Sequence, residues 1–442
     1  MEVLKILSFS IKHWFPLDNS AKIYPFMMND MDQNSFKVTA SLKSSVNPIV
    51  LQNALEETIL RFPSFRVFLK KGIFWYYLDF TNSTPSVEKE SPFLLQPIKV
   101  NYTSNCFNFR MTYFENRISL DVFHILADGA GALEFMKTLL YCYFEKSGIS
   151  INAENKIILP TSPTTSEEVE DSFSKFFTKR KIKDLNVDAL KGTEAYKIEG
   201  LPLPKGVKGL IEGKMDAHKL LDLSKSYGCT LTEFLSALIM YSIYKTKIRT
   251  YDKTSSIQLF IPINLRKHFK SKTLRNFSLF SRVGANIDSD NLDIQFFIES
   301  IKQTLRHDLQ KDILKNKIDT MVMAEKIFIS RIAPLPLKKL VFTIANTFFG
   351  KNKKTCTFSN LGVLQLPSSF EPYVDDFSLN INVSRKNNFS VAAITCFDSF
   401  KISFSRYFSD TSIEHFFFSF LIEKGIDVTI SSNFAEMTYE MQ

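Results

Sequence analysis

Five cysteines in 442 residues are too few and too scattered to frame a disulfide scaffold or a metal centre. Cys106, Cys142, Cys229, Cys356 and Cys396 lie far apart, and none forms a Cys-x-x-Cys pair. Four of them fall within apolar periodic stretches, so reduced, buried thiols in a cytoplasmic protein are expected, with no metal site. Long apolar runs are missing too. FFFSFLI at 416–422 is far short of a membrane span. The opening MEVLKILSFSIKHWF lacks the plan of a signal peptide, because Lys5, Ser8, Ser10 and Lys12 interrupt it. No Gly-x-Ser-x-Gly elbow and no phosphate loop occur, which leaves hydrolase and kinase readings without an anchor.

What is present is an ordinary soluble composition with two biases. Hydrophobic residues make up 45% and charged residues 23%, normal for a globular protein, and 442 residues are long enough for two ordinary domains or one large one. Forty-three Phe stand against two Trp, as core filling or as the lining of an apolar tunnel. The formal charge of +9, from 55 basic and 46 acidic residues, favours anionic ligands or surfaces. Its visible clusters are Lys179-Arg180-Lys181 with Lys183, and Lys351 with Lys353-Lys354. Neither is interleaved with aromatics or set in a nucleic-acid module, so no nucleic-acid partner is expected.

The most informative stretch is RISLDVFHILADGAGALEFMKTLLYCYFE, Arg117 to Glu145. Ile118, Leu120, Val122 and His124 alternate onto one strand face, with Arg117, Ser119 and Asp121 on the other. A turn holding Asp128, Gly129 and Gly131 follows, where glycines permit backbone angles that other residues resist. Leu133, Met136, Leu139, Leu140 and Tyr143 then recur at helical spacing. An imidazole at the mouth of such a turn, beside a carboxylate, suits proton transfer near neutral pH.

Along the rest of the chain, strands are expected near 36–42, 65–70, 73–80 and 107–113, with an extended segment at 97–102. A helix opens at Asn47-Pro48 and ends at Phe62-Pro63. From about 150 to 205 the texture turns Pro-, Ser- and Thr-rich with reversing charge. The expected division is therefore residues 1–165, a connection at 166–205, and 206–442. The second half opens with a strand and two helices, the second capped at Thr230 or Thr232 with Glu233 in its first turn. A strand from 257 ends at Pro262, and helices cover 292–313 and 319–349. Strands at 356–363, 377–384, 390–397 and 401–407 precede a last helix at 411–424. Helices between antiparallel hairpins, without strict alternation, predict an α+β fold with a sheet in each half.

HILADG at 124–129 fits His-x-x-x-Asp-Gly, and the chain resembles the chloramphenicol acetyltransferase-like superfamily that carries this motif. Peptide-synthetase condensation domains and alcohol O-acetyltransferases are among its members. Further segments agree in order: YGCTLTEFLSALI, then IPINLRKHF, CTFSNLGV and SFKISFSRYFSD. PLDNSAKIYP near the start is most similar to the bacterial alcohol acetyltransferase-like group. The Asp-Phe-Gly-Trp-Gly motif of the BAHD branch is absent, and Phe123 stands where many relatives have a second histidine.

The resemblance implies two-layer α/β sandwich subdomains enclosing a central channel. It implies that His124 is the general base of acyl transfer from a thioester, acyl-CoA, to a hydroxyl acceptor of small-molecule or lipid type. Asp128 and Gly129 would support the active-site loop, with Arg266 as the partner of Asp128. Ser359 and Asn360 would contact the oxyanion or substrate. Acyl-CoA would be a cosubstrate, with no bound cofactor, and its anionic end a natural partner for one of the basic clusters. A chain carrying both halves can complete the site alone, as a monomer. Two alternatives stand beside this reading: an acyl carrier protein as donor, or a catalytically silent relative that binds a ligand or partner.

Overall fold

The structure, a computed structural model, describes residues 14–28, 33–179, 194–248, 256–326, 333–340 and 354–434. The first thirteen residues, 180–193 of the connection and most of both basic clusters lie outside the described residues. In chain order the strands are β1 (Trp14–Pro16), β2 (Ser35–Leu42), β3 (Val67–Lys71), β4 (Tyr76–Phe80), β5 (Val87–Lys89), β6 (Phe109–Phe114) and β7 (Arg117–Phe123). The second half supplies β8 (Gly209–Asp216), β9 (Ser256–Asn264), β10 (Ser278–Asn286), β11 (Cys356–Leu364), β12 (Val374–Ile381), β13 (Phe389–Cys396), β14 (Ser399–Arg406) and β15 (Thr429–Ser432).

They form a five-stranded sheet in the order β12-β2-β7-β6-β5 and a seven-stranded sheet in the order β10-β9-β11-β13-β14-β8-β15. A small third sheet has the order β1-β4-β3. Each large sheet is covered by helices, which makes the fold α+β with two-layer halves. Pro48–Arg61 and Gly129–Lys146 bury Leu51, Leu55, Met136 and Leu140 against the five-stranded sheet. Leu231–Lys247, Ile294–Asp308 and Ser412–Glu423 pack on the seven-stranded one through Leu238, Phe297 and Phe417. The opposite face of that second sheet carries Ala392, Ile394 and Cys396, which belong to the core of the first half. Strand β12 goes further and pairs antiparallel with β2, so the second half completes the first half's sheet.

Local chemistry explains most of the boundaries. Asn47 Oδ1 accepts from the amides of Ile49 and Val50, and Pro48 occupies a first-turn position that needs no donor. Thr230 and Glu233 form a reciprocal capping box at the start of Leu231–Lys247.

Two expectations are corrected. Pro262 does not end its strand, which continues to Asn264. Strand β11 pairs with β9 only as far as Phe260, so beyond that point Pro262 has no second ladder to interrupt. The helix expected over 292–313 stops at Asp308, and a new one runs from Lys311 to Lys326. Asp308 turns its carboxylate to Ser281 and Lys317, and the second helix swings away to bury Leu314, Ile318 and Val322 in a satellite cluster with Phe173 and Phe277. The extended segment 97–102 joins no sheet, and the edge of the five-stranded sheet is β5. Lys137 and Thr138 of the Gly129–Lys146 helix are buried, because the carbonyls of Lys156 and Ile158 accept their hydrogen bonds.

Candidate active site

Strand β7 ends at Phe123, and the amide of His124 donates to the carbonyl of Asn34 at 2.9 Å. The chain then turns within four residues, and Asp128 caps the helix Gly129–Lys146 by accepting from the Gly131 amide at 3.1 Å. Neither glycine of the turn takes a left-handed conformation. Space is what demands them. A Cβ on Gly131 would stand 1.9 Å from the carbonyl oxygen of Leu274, and one on Gly129 would stand 2.8 Å from the side chain of Leu361.

The second oxygen of Asp128 accepts from Arg266 Nη1 at 2.8 Å and from the Phe277 amide at 2.9 Å. Arg266 spends its other donors on the carbonyls of Thr273, at 2.8 Å, and Arg275, at 2.5 Å. It is aimed by Asn264, whose Oδ1 accepts from the Arg266 amide at 3.0 Å. Both oxygens of the carboxylate are thereby occupied, and its charge is matched at contact distance. Asp128 is a fastener between the loop and the segment 264–277.

His124 is held by a different set. Its Nδ1 lies 3.1 Å from Asn276 Oδ1. The amide nitrogen of Asn276 donates to Asp18 Oδ2 at 3.0 Å and to the His124 carbonyl at 2.9 Å. With both Asn276 N–H groups committed, its oxygen must accept. Nδ1 therefore carries the ring proton and Nε2 keeps a free lone pair. Asp18 is fully buried and also accepts from the Ala21 amide at 2.8 Å. Its nearest cation, Arg275, stands 3.8 Å away. Burial pushes the Asp18 carboxyl up to about 6, against the pull of Arg275.

The imidazole sits between two aromatic rings. Tyr24 stacks on it with centroids 5.2 Å apart, and Phe36 leans on it at 4.8 Å. Burial lowers the His124 pKa below its ordinary 6.5, while Asn276, the charge of Asp128 and a hydrogen bond to the Ala127 backbone oppose the shift. A neutral ring with a free Nε2 at pH 7 can accept a proton. Sequence reading did not find Asp18, Arg275 or Asn276. Asp18 lies within PLDNSAKIYP, where it reads as a turn former, and nothing local marks Asn276 as its partner 258 positions away.

Ser359 and Asn360 lie on β11, paired with Ala392 and Ala393. The register shifts between Asn360 and Val363, and Gly362 takes φ +74°, so the strand bulges there. Asn360 Oδ1 accepts from the Gly362 amide and its Nδ2 donates to Thr232 Oγ1 at 3.2 Å. The turn thus joins the N-terminus of Leu231–Lys247, and Leu361 brings it against Gly129. Arg266 and Asp128 are in direct contact, whereas Ser359 and Asn360 reach the loop through Leu361. Among the described residues no group of three or more His, Cys, Asp or Glu could hold a metal ion. Among them, too, no helix is long and apolar enough to cross a membrane.

Residues 214–410 match the alcohol acetyltransferase family. No individual curated protein matches the chain in sequence. Among solved structures the chain is similar to polyketide synthase associated protein 5 from Mycobacterium tuberculosis, with 12% identity, TM-score 0.57, and 93% of this chain and 97% of that one covered. It is similar to the trichothecene 15-O-acetyltransferase of Fusarium sporotrichioides, with 10% identity, TM-score 0.58, and coverages of 91% and 94%. It is also similar to the starter condensation domain of rhizomide synthetase, solved with C8-CoA, with 11% identity, TM-score 0.56, and coverages of 92% and 94%. The fold is the chloramphenicol acetyltransferase-like fold, and the resemblance drawn from the sequence is borne out.

Proposed function

We propose that this chain is an acyl-CoA-dependent O-acyltransferase with His124 as its general base, working as a cytoplasmic monomer. The carrying observation is the state of His124: a ring whose Nδ1 is pinned by Asn276 Oδ1 and whose pKa burial holds below 6.5, so that it is neutral at pH 7. The match of 214–410 to the alcohol acetyltransferase family supports acyl transfer as the chemistry.

In the proposed reaction, Nε2 takes the proton of an acceptor hydroxyl as that oxygen attacks the thioester carbonyl. The oxyanion of the tetrahedral intermediate is steadied by Ser359 and Asn360. Collapse breaks the carbon–sulfur bond, and the leaving thiolate recovers the proton from Nε2. No acyl-enzyme forms. A base so placed contributes about 10²–10⁴-fold, and holding donor and acceptor in register contributes more. Asp128, Gly129 and Arg266 hold the loop rather than touch the substrate. The halves 1–165 and 206–442, joined through 166–205, would present donor and acceptor to His124 from opposite ends of a channel between them.

The test is thiol release from short- and long-chain acyl-CoAs with mixed alcohols, for wild type and His124→Ala. Acceptor-dependent release that vanishes in the variant supports the proposal. No release from any acyl-CoA would direct attention to carrier-protein donors or to a silent binder. Equal release by both proteins would remove His124 from the mechanism.

A further inference from the structure

Two segments far apart in the chain meet on one face of the molecule, and the proposed mechanism uses neither. The hairpin between β3 and β4 carries Lys71, Gly72, Ile73, Phe74 and Trp75 around its tip. Residues 335–340, with the sequence LPLKKL, form a helical turn beside it. The Leu335 amide donates to the Ile73 carbonyl at 3.0 Å, and Lys338 Nζ donates to the Phe74 carbonyl at 2.7 Å. Lys338 Nζ also stands 3.3 Å from the centroid of the Trp75 ring, and Lys22 Nζ lies 5.6 Å from it. The short turns Ala21–Ile23 and Tyr24–Met27 complete the face, with Phe26 against Tyr76 at 5.7 Å.

These contacts bury Leu335 and leave its apolar neighbours outside. Leu337 and Leu340, three residues apart on one side of the turn, are half exposed. Ile73 at the hairpin tip is 74% exposed, and Phe74, Ile23 and Met27 are exposed around it. Six large apolar side chains gathered on one face are more than the scattered few that a soluble surface ordinarily shows.

The charge among them has one sign. Segments 22–27, 71–76 and 335–340 contain Lys22, Lys71, Lys338 and Lys339 and no Asp or Glu. Glu325, reaching in from the helix Lys311–Lys326, is taken up by Lys22 at 2.5 Å and Asn19 at 2.6 Å. Among the described residues no carboxylate is in ion-pair contact with Lys71 or Lys338. Burial and the charge of Lys22 lower the Lys338 pKa to about 8, so an approaching negative surface favours its charged form. A second copy of this face would set four lysines against four, which disfavours self-association. The boundary of an anionic bilayer offers what the face lacks. Hydrocarbon receives the aliphatic and phenyl side chains, the interface receives Trp75, and the head groups receive the ammonium groups.

We infer that this face, centred on Ile73 and Phe74, docks on an anionic lipid bilayer. The docking itself does not rest on the acyl-transfer reading, but one consequence does. Tyr24 stacks on His124, while Ile23 and Met27 on either side of it are exposed. A docked chain holds its base one short segment from the bilayer, which selects a membrane-borne hydroxyl lipid as acceptor.

The test is cosedimentation of the full chain with phosphatidylcholine vesicles, with and without phosphatidylglycerol. The wild type binds the mixed vesicles, binds the neutral ones more weakly, and loses affinity as salt rises. Ile73→Asp with Phe74→Asp weakens binding to the mixed vesicles about tenfold or more. Lys71→Gln weakens it about fivefold and leaves the neutral vesicles unaffected. Thermal melts check that each variant is folded. A wild type that ignores mixed vesicles at low salt overturns the inference. So does binding that survives Ile73→Asp with Phe74→Asp, or a dimer split by that pair in a chain that ignores vesicles. The two proposals fail separately. Vesicle binding through Ile73 and Phe74 without turnover of any thioester keeps this face and removes the reaction. Turnover with a soluble alcohol by a chain that ignores vesicles keeps the reaction and removes the face.

Discussion

Asp18 and Asp128 stand on two sides of the same histidine, both buried, and they are held in opposite ways. Asp128 has an arginine at 2.8 Å and backbone donors on each oxygen. Asp18 has an asparagine, a backbone amide and an arginine no nearer than 3.8 Å. The Asp128 contacts join the loop to the segment 264–277, so they hold the turn in place. The Asp18 contacts run through Asn276 to the ring, so they set which nitrogen carries the proton. A carboxylate matched at contact is a structural rivet. One left with a distant cation and a carboxyl near 6 stays responsive to pH.

The sharpest way to break this contrast is on the Asp128 side. Arg266→Ala leaves a buried carboxylate uncompensated, a change that destabilises by about 3–5 kcal/mol, and thermal unfolding should register the whole of it. On the Asp18 side the expected effect has a sign that depends on pH. The folded carboxyl, at about 6, lies above its ordinary 3.8. The folded protein thus holds a proton that the unfolded chain releases, and stability falls as pH rises from about 4 to 6. Asp18→Asn removes that penalty. It should be more stable than wild type at pH 7–8, by up to about 3 kcal/mol, with the advantage gone at pH 4. A wild-type-like pH dependence in the variant would contradict the assignment.

A smaller effect sharpens the division of labour. Asn276→Leu removes the ring's anchor while keeping its volume, and kcat should fall about ten- to a hundredfold with KM little changed. A fall in stability matching that of Arg266→Ala would mean that Asn276 is only another rivet. The smallest effect concerns the ring's surroundings. Burial beside Phe36 and Tyr24 keeps the His124 pKa below 6.5, so the acid limb of kcat/KM lies below that pH. Phe36→Ala opens the ring to water and should move the limb upward by a fraction of a pH unit.

The parts that could be read from the chain are those with short-range causes. The alternation into His124, the helix that follows Asp128, the Asn47 cap and the Thr230–Glu233 box each lie within a few residues of their signal. Asp128 and Arg266 come from two recognisable segments, and the structure brings them into contact. Asp18 and Asn276 share no such signature, because their bond joins positions 258 apart. The glycines of the turn were legible as necessary but for the wrong reason: Leu274 and Leu361 need the space, and tertiary approach leaves no trace in local backbone preference.

The most direct measurement is the protonation of the His124 ring at pH 7, by nitrogen NMR on histidine-labelled protein, with His124→Ala identifying the resonances among six histidines. The account predicts a neutral ring with hydrogen on Nδ1 and an unprotonated Nε2. Hydrogen on Nε2, or a charged imidazolium at that pH, would contradict it.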